Sequence, residues 1–143
     1  MNKLGCLLLL FFCNAAVAEI QTLESSYISN YAHQAEPLLL ENYRKNMADQ
    51  PEQTQIDAAK RMAPKLAKCQ FQSVSHYPKK YWEQSIYPIT NGDDLKATAN
   101  KLETMIYKDI ASGEFSEQAL MQMLSSSQEK LQNCLIKDAL NKD

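Results

Sequence analysis

Few residues of this chain have the types and spacing that a metal site needs. His33 and Glu36 stand three positions apart, so a helix would place both side chains on one face. A metal site usually requires three or four converging ligands. The chain has one further histidine, His76, so its histidines alone cannot supply that number. We therefore interpret His33 and Glu36 as surface residues and expect no metal and no other cofactor.

Motifs for covalent or phosphate chemistry are missing from the sequence. No serine stands in the glycine pattern of a nucleophile elbow, and there is neither a glycine-rich phosphate loop nor a Cys-x-x-Cys-His haem attachment. The paired acids Asp93 and Asp94 fall at a predicted helix start, where a carboxylate has a structural role. The sequence thus favours a protein that is not an enzyme, although an envelope enzyme with a site built from dispersed residues is an alternative.

The four cysteines divide into two pairs along the chain. Cys6 and Cys13 lie in the apolar N-terminal segment, whereas Cys69 and Cys134 belong to the rest of the chain. Two cysteines in an oxidising compartment usually pair, and a redox or metal-binding pair would favour Cys-x-x-Cys spacing or nearby histidines. We therefore predict a structural disulfide between Cys69 and Cys134.

The N-terminus has the three parts of a secretory signal peptide. Lys3 provides a positive head, residues 4–12 are apolar, and Ala16 and Ala18 fit the narrow pockets of the peptidase. Cleavage is predicted between Ala18 and Glu19. This places the processed protein in the periplasm or outside the cell, by export of the Gram-negative type.

Two other interpretations of the N-terminus are weaker. The apolar run is shorter than the roughly 20 residues that span a bilayer, so no stable membrane anchor is expected after cleavage. Lipid attachment at Cys13 is unfavourable because the bulky Phe11 and Phe12 precede it, where lipoprotein processing requires small residues.

Charge and glycine content narrow the class of protein further. Removing residues 1–18 removes one cation and leaves 14 Lys+Arg against 17 Asp+Glu, a net charge of −3. This balance disfavours nucleic acid, which proteins grip with clustered cations. The densest basic positions, between Lys60 and Lys80, have the spacing of ordinary solvated helix faces. Gly92 and Gly113 are the two glycines after the signal, which argues for helices rather than turn-rich strands.

The first helical pattern extends from about Leu23 to Ala48, with apolar residues at three-to-four spacing. Pro37 interrupts it, because a proline inside a helix removes a backbone donor and crowds the preceding turn. The helix either kinks there or ends, and we favour a break, with Thr22 as the first cap.

A further helix is predicted to begin around residues 49–52, where a capping residue, a proline and an acid follow one another. Pro64 predicts a kink or a boundary near Ala63. The buried face of this helix is predicted to comprise Ile56, Ala59, Met62, Ala63, Leu66, Cys69 and Ser73.

Residues 76–88 are rich in aromatic side chains and form one short helix or an irregular connection. The rings either bind a ligand or cap one end of a small helical core, and the second interpretation is favoured. This segment is nevertheless the first place in the chain where we expect a binding surface. Its possible residues are Tyr77, Tyr81, Trp82 and Tyr87.

The sequence pattern predicts two helices in the last third of the chain. One follows the cap at Asp94 and ends at Gly113, and the other begins at residues 116–117. The fold class is therefore all-α, a small irregular helical bundle of four to six helices stapled by one disulfide. The predicted organisation is a signal peptide at 1–18 and a single helical domain at 19–143.

A small exported helical domain without a catalytic motif points to protein binding. We expect an inhibitor, an immunity protein or an accessory protein whose partner is another envelope or secreted protein. The alternative is a periplasmic stress chaperone, whose apolar surface would become exposed when its carboxylates are protonated at low pH.

Overall fold

The helical patterns become five α-helices in the computed structural model, which describes the backbone of residues 5–140 and the side chains of residues 20–140. No strand occurs within this range. The fold is an all-α bundle with one disulfide, as predicted. The helices are α1 (Gly5–Asn46), α2 (Glu52–Ser73), α3 (Lys79–Thr90), α4 (Leu95–Ser112) and α5 (Glu117–Leu140).

Prolines lie inside the first two helices without ending them. The predicted break at Pro37 is wrong, because α1 continues through it, and Thr22 lies inside the helix instead of capping it. A proline deprives the carbonyl four residues earlier of its donor. Pro37 and His33 are both exposed, as are Pro64 and Lys60 in α2, so water can hydrate each freed carbonyl. The boundary predicted near Pro64 is therefore also absent.

The predicted signal peptide, with the cleavage site between Ala18 and Glu19 and the disfavoured lipid site at Cys13, lies outside the residues whose side chains are described. The backbone of α1 is helical from Gly5. In the part of the chain that the structure covers, no helix is long and apolar enough to cross a membrane.

Small buried side chains lie on both α1 and α2, in addition to the ring contact between Tyr27 and Phe71. Ala35 of α1 is 4% exposed, and α2 places Ala59, Ala63 and Ala67 at successive turns with 1% exposure or less. Side chains this small let two helices approach closely. Four of the seven residues predicted for the buried face of α2 are buried, namely Ala59, Ala63, Cys69 and Ser73. The three larger residues of that prediction are only half-buried. They are Ile56, Met62 and Leu66.

The core consists of two clusters that share Tyr77. The first joins α1, the end of α2 and α3, and the second joins α3, α4 and α5. Since α3 contributes Ile86 and Ile89 to the first cluster and Tyr81 to the second, this helix lies between the two halves of the core. Their buried members are Tyr27, Val74, Ile86 and Ile89 in the first cluster, and Tyr81, Ile106 and Met123 in the second.

The predicted disulfide joins α2 to α5. The Cys69 and Cys134 sulfur atoms are 2.02 Å apart, and the two residues are 65 positions apart in the chain. Cys69 is buried but Cys134 is half-exposed, so the bond lies at the edge of the core instead of crossing it. An ion pair between Lys65 and Asp138 supports the same contact.

Candidate functional site

Asn30 of α1 fixes the end of α3. Its side-chain amide donates to the carbonyl of Ile89 at 3.1 Å and to the carbonyl of Thr90 at 2.9 Å. The last carbonyls of a helix have no partner within that helix, so these bonds satisfy groups that would otherwise need water. The last turn of α3 is consequently held against α1.

Gln34, one turn further along α1, holds the connection between α3 and α4. Its amide nitrogen donates to the Asp93 carbonyl, and its amide oxygen accepts from the Leu95 amide, both at 2.9 Å. Asp94 accepts from the Ala97 amide at 2.7 Å and caps α4 as predicted. Two side chains of α1 therefore determine where α3 ends and α4 begins.

An open apolar groove of about 600 Å³ lies between α1 and α3. We call it the α1–α3 groove. The Trp82 and Tyr87 rings meet edge to face on its α3 side, with centroids 5.8 Å apart. Ile20 is 59% exposed and Tyr87 is 45% exposed. The lining residues are all uncharged, and they are Ile20, Thr22, Leu23, Ser26, Trp82, Tyr87 and Thr90.

The four predicted aromatic residues do not form one surface. Tyr81 has no exposed area and belongs to the core, so its place on the predicted surface is wrong. Tyr77 is half-buried between the two core clusters. Trp82 and Tyr87 remain, and α3 brings them into the groove. Sequence reasoning missed the opposite wall from α1, although the spacing of Ile20 and Leu23 on one helical face is a usable signal.

Tyr81 belongs to a polar cluster with Asp109, which is also buried, and Lys80, which is exposed. The Tyr81 hydroxyl donates to Asp109 Oδ2 at 2.6 Å, and the Lys80 ammonium pairs with the same oxygen. These bonds, the one from Lys80 first, lower the pKa of the Asp109 carboxyl group. Burial and the adjacent carboxylate raise the pKa of Tyr81 to about 12.

This cluster connects helices and offers no free reactive group. Because its pKa is about 12, the Tyr81 hydroxyl stays protonated at neutral pH and donates to Asp109. Asp109 is 8% exposed, and it uses the same oxygen for both partners. Its backbone carbonyl also accepts from the amides of Glu114 and Phe115, which closes the end of α4. The cluster thus cross-links α3 to α4.

The two histidines have different environments. His33 is exposed on α1, and His76 donates from Nε2 to the Met123 carbonyl of α5 at 2.9 Å. Across the side chains of residues 20–140, no three His, Cys, Asp or Glu residues converge in a way that could hold a metal ion.

The chain matches no protein-family model, no curated protein and no solved structure.

Proposed function

We propose that this protein is exported, loses residues 1–18, and binds another protein through the α1–α3 groove without catalysing a reaction. The N-terminal sequence supports export. The Cys69–Cys134 disulfide is compatible with an oxidising compartment.

The observation that carries this proposal is the pair formed by the exposed Tyr87 ring and the half-buried Trp82 ring, opposite the exposed Ile20. Trp and Tyr are enriched among the residues that supply most binding energy at protein interfaces. Here they line a concave surface instead of being scattered singly over the exterior. A wall of aromatic and aliphatic groups left in contact with water is a place where apolar burial can favour binding.

The chemistry of the groove favours a short apolar segment of a partner. The lining carries no charge, so a charged side chain bound there would lose water without gaining an ion pair. The hydroxyl groups of Ser26 and Thr90 can accept hydrogen bonds from the backbone of a bound segment. Apolar side chains and a few polar backbone contacts are therefore the expected occupant.

The groove lies next to the predicted processing site. Cleavage after Ala18 would make Ile20 the second residue of the processed chain. One wall of the groove would then be built by a new N-terminus. The proposal accordingly predicts that binding belongs to the processed form and is lost when residues 19–23 are removed.

The test is capture of a partner from envelope extracts by the oxidised processed protein. Ile20→Ser and Tyr87→Ser remove apolar surface from the groove. Tyr107→Ser is the matched control, because Tyr107 is 58% exposed on α4 and does not line the groove. We expect one stoichiometric partner that the two groove variants lose and the control retains.

The outcome decides between clear alternatives. A partner captured equally by all variants would place the binding surface elsewhere and contradict the assignment of the groove. Absence of any partner, when circular dichroism shows folded and oxidised protein, would argue against a protein-binding role. A Cys69→Ser/Cys134→Ser variant serves as the destabilised control for non-specific capture.

A further inference from the structure

The cations of this chain are concentrated in one region. Residues 58–82 contain six lysines and arginines and no acid, although the whole chain has a net charge of −2. Within this region, Arg61, Lys65 and Lys68 follow one another at spacings of four and three, which places them on one face of α2. We call Arg61, Lys65 and Lys68 the basic stripe of a protein whose net charge is negative.

The basic stripe borders a groove between α2 and α5, which we call the α2–α5 groove. Its volume is about 500 Å³, and Lys137 of α5 contributes a further cation. A smaller groove of about 230 Å³ shares Lys65 and extends to Arg61. The larger groove is lined by Lys65, Lys68, Lys137 and Asp138 beside the Cys69–Cys134 disulfide.

Most of these cations have no acidic partner. Lys65 pairs with Asp138. Among the residues that the structure describes, no carboxylate lies within 4.0 Å of the charged groups of Arg61, Lys68 or Lys137. Like charges gathered at one place repel one another, and an anion bound between them would relieve that repulsion.

We propose that the α2–α5 groove binds a phosphate-bearing anion. A phosphate group offers up to two negative charges and three strong acceptor oxygens, which suits the unpaired Lys68 and Lys137 together better than a single carboxylate does. Lysine ammonium groups and arginine guanidinium groups are the usual protein ligands of phosphate. The same chemistry is supplied by a phospholipid headgroup or by a free phosphate compound. The site is separate from the α1–α3 groove and independent of its proposed partner.

The test uses two probes on the oxidised protein purified after expression of the full chain. Inorganic tripolyphosphate, followed by calorimetry, represents a free phosphate compound. Vesicles of phosphatidylcholine, with and without phosphatidylglycerol, represent a lipid headgroup and are followed by co-sedimentation. Both measurements are made at low salt, since binding through cations weakens as salt rises.

The variant Lys68→Gln/Lys137→Gln removes two cations from the groove. Its matched control is Lys96→Gln/Lys101→Gln on α4, which changes the net charge equally at two exposed lysines outside both grooves. We expect affinity to fall about 5-fold for each groove lysine removed, or roughly 25-fold for both. The control should lose less than about 2-fold, because its charges act only at long range.

The probes distinguish the source of the phosphate. Binding of tripolyphosphate supports a free phosphate ligand, and binding only to the vesicles that contain phosphatidylglycerol supports a lipid headgroup. Failure of the folded protein to bind either probe overturns the proposal. Equal losses in the groove variant and the control also overturn it, since they would show attraction to net charge alone.

Discussion

The contact between Tyr81 and Asp109 supports a sharp prediction about stability. Tyr81→Phe removes only the hydroxyl group, which donates to Asp109 Oδ2 at 2.6 Å from a fully buried position. The ring and its contacts with Phe115 remain, because the rings meet edge to face at 5.0 Å. The substitution therefore isolates one hydrogen bond.

The cost follows from the charge of the acceptor. Hydrogen bonds to charged groups contribute about 1.5–3 kcal/mol, and Asp109 is 8% exposed, so little water can replace the lost donor. We expect the free energy of unfolding to fall by that amount at neutral pH. For a domain of this size, this corresponds to a decrease in Tm of about 6–12 °C.

The pH dependence has a definite sign. The partners of Asp109 lower its pKa in the folded state, so the carboxylate contributes stability above its unfolded value of about 3.9. That contribution is lost as the pH falls through the folded-state pKa. The cost of Tyr81→Phe should accordingly be greatest at neutral pH and shrink in strongly acidic solution.

Urea unfolding monitored by circular dichroism measures both effects. Tyr107→Phe is the matched control, because Tyr107 is 58% exposed and should change stability by less than about 0.5 kcal/mol. If Tyr81→Phe and Tyr107→Phe unfold at the same urea concentration at neutral pH, the argument that a buried hydroxyl–carboxylate bond connects α3 to α4 is wrong.

Three further predictions concern the disulfide, export and alkaline stability. Replacing Cys69 and Cys134 by alanine opens a loop of 65 residues and should cost about 4 kcal/mol in urea unfolding; a loss below about 1 kcal/mol would contradict this. Expression of the full chain in a Gram-negative host should yield a periplasmic protein whose N-terminal sequence begins at Glu19, and Ala18→Phe should block that processing. A full-length cytoplasmic product would contradict export. The raised pKa of Tyr81 contributes stability below about pH 10, and this stability is lost as the pH rises to about 12. The Tyr81→Phe variant should therefore lose less stability than the unmodified protein over that range. Equal losses would contradict the raised pKa of Tyr81.

Local signals predicted much of the fold. The cap at Asp94 and the glycine at 113 define α4, and the structure places Asp94 at its start and Gly113 at its end with φ of 79°. Ser116 accepts from the Ala119 amide at 3.1 Å, as expected for a cap of α5. These signals succeed because each depends on neighbours within about one turn of the chain.

Predictions about long-range packing were less successful. Pro37 indicated a break because the sequence does not show that its side of α1 faces water, where the freed carbonyl is tolerated. On α2 the prediction was right for Ala63, but apolar spacing also favoured the bulky Leu66, which is half-buried, and missed Ala67, which is fully buried.

The candidate site was predicted in part. Two of the four residues predicted for a binding surface, Trp82 and Tyr87, line the α1–α3 groove, whereas Tyr81 is fully buried. Tyr81 is buried because Asp109, 28 positions later, provides an acceptor for its hydroxyl. A buried polar partner at that distance in the chain leaves no periodic signal.

The bonds from Asn30 and Gln34 also constrain the order in which the chain can fold. Their partners, from Ile89 to Leu95, lie 59 to 61 positions later in the chain. A nascent polypeptide therefore cannot form all the side-chain hydrogen bonds of Asn30 and Gln34 until residue 95 has been synthesised. Contacts between distant parts of a chain form slowly, because closing the intervening loop costs entropy. This delay would keep the chain unfolded for longer during synthesis, which agrees with the export proposed above, because a translocon threads unfolded chains.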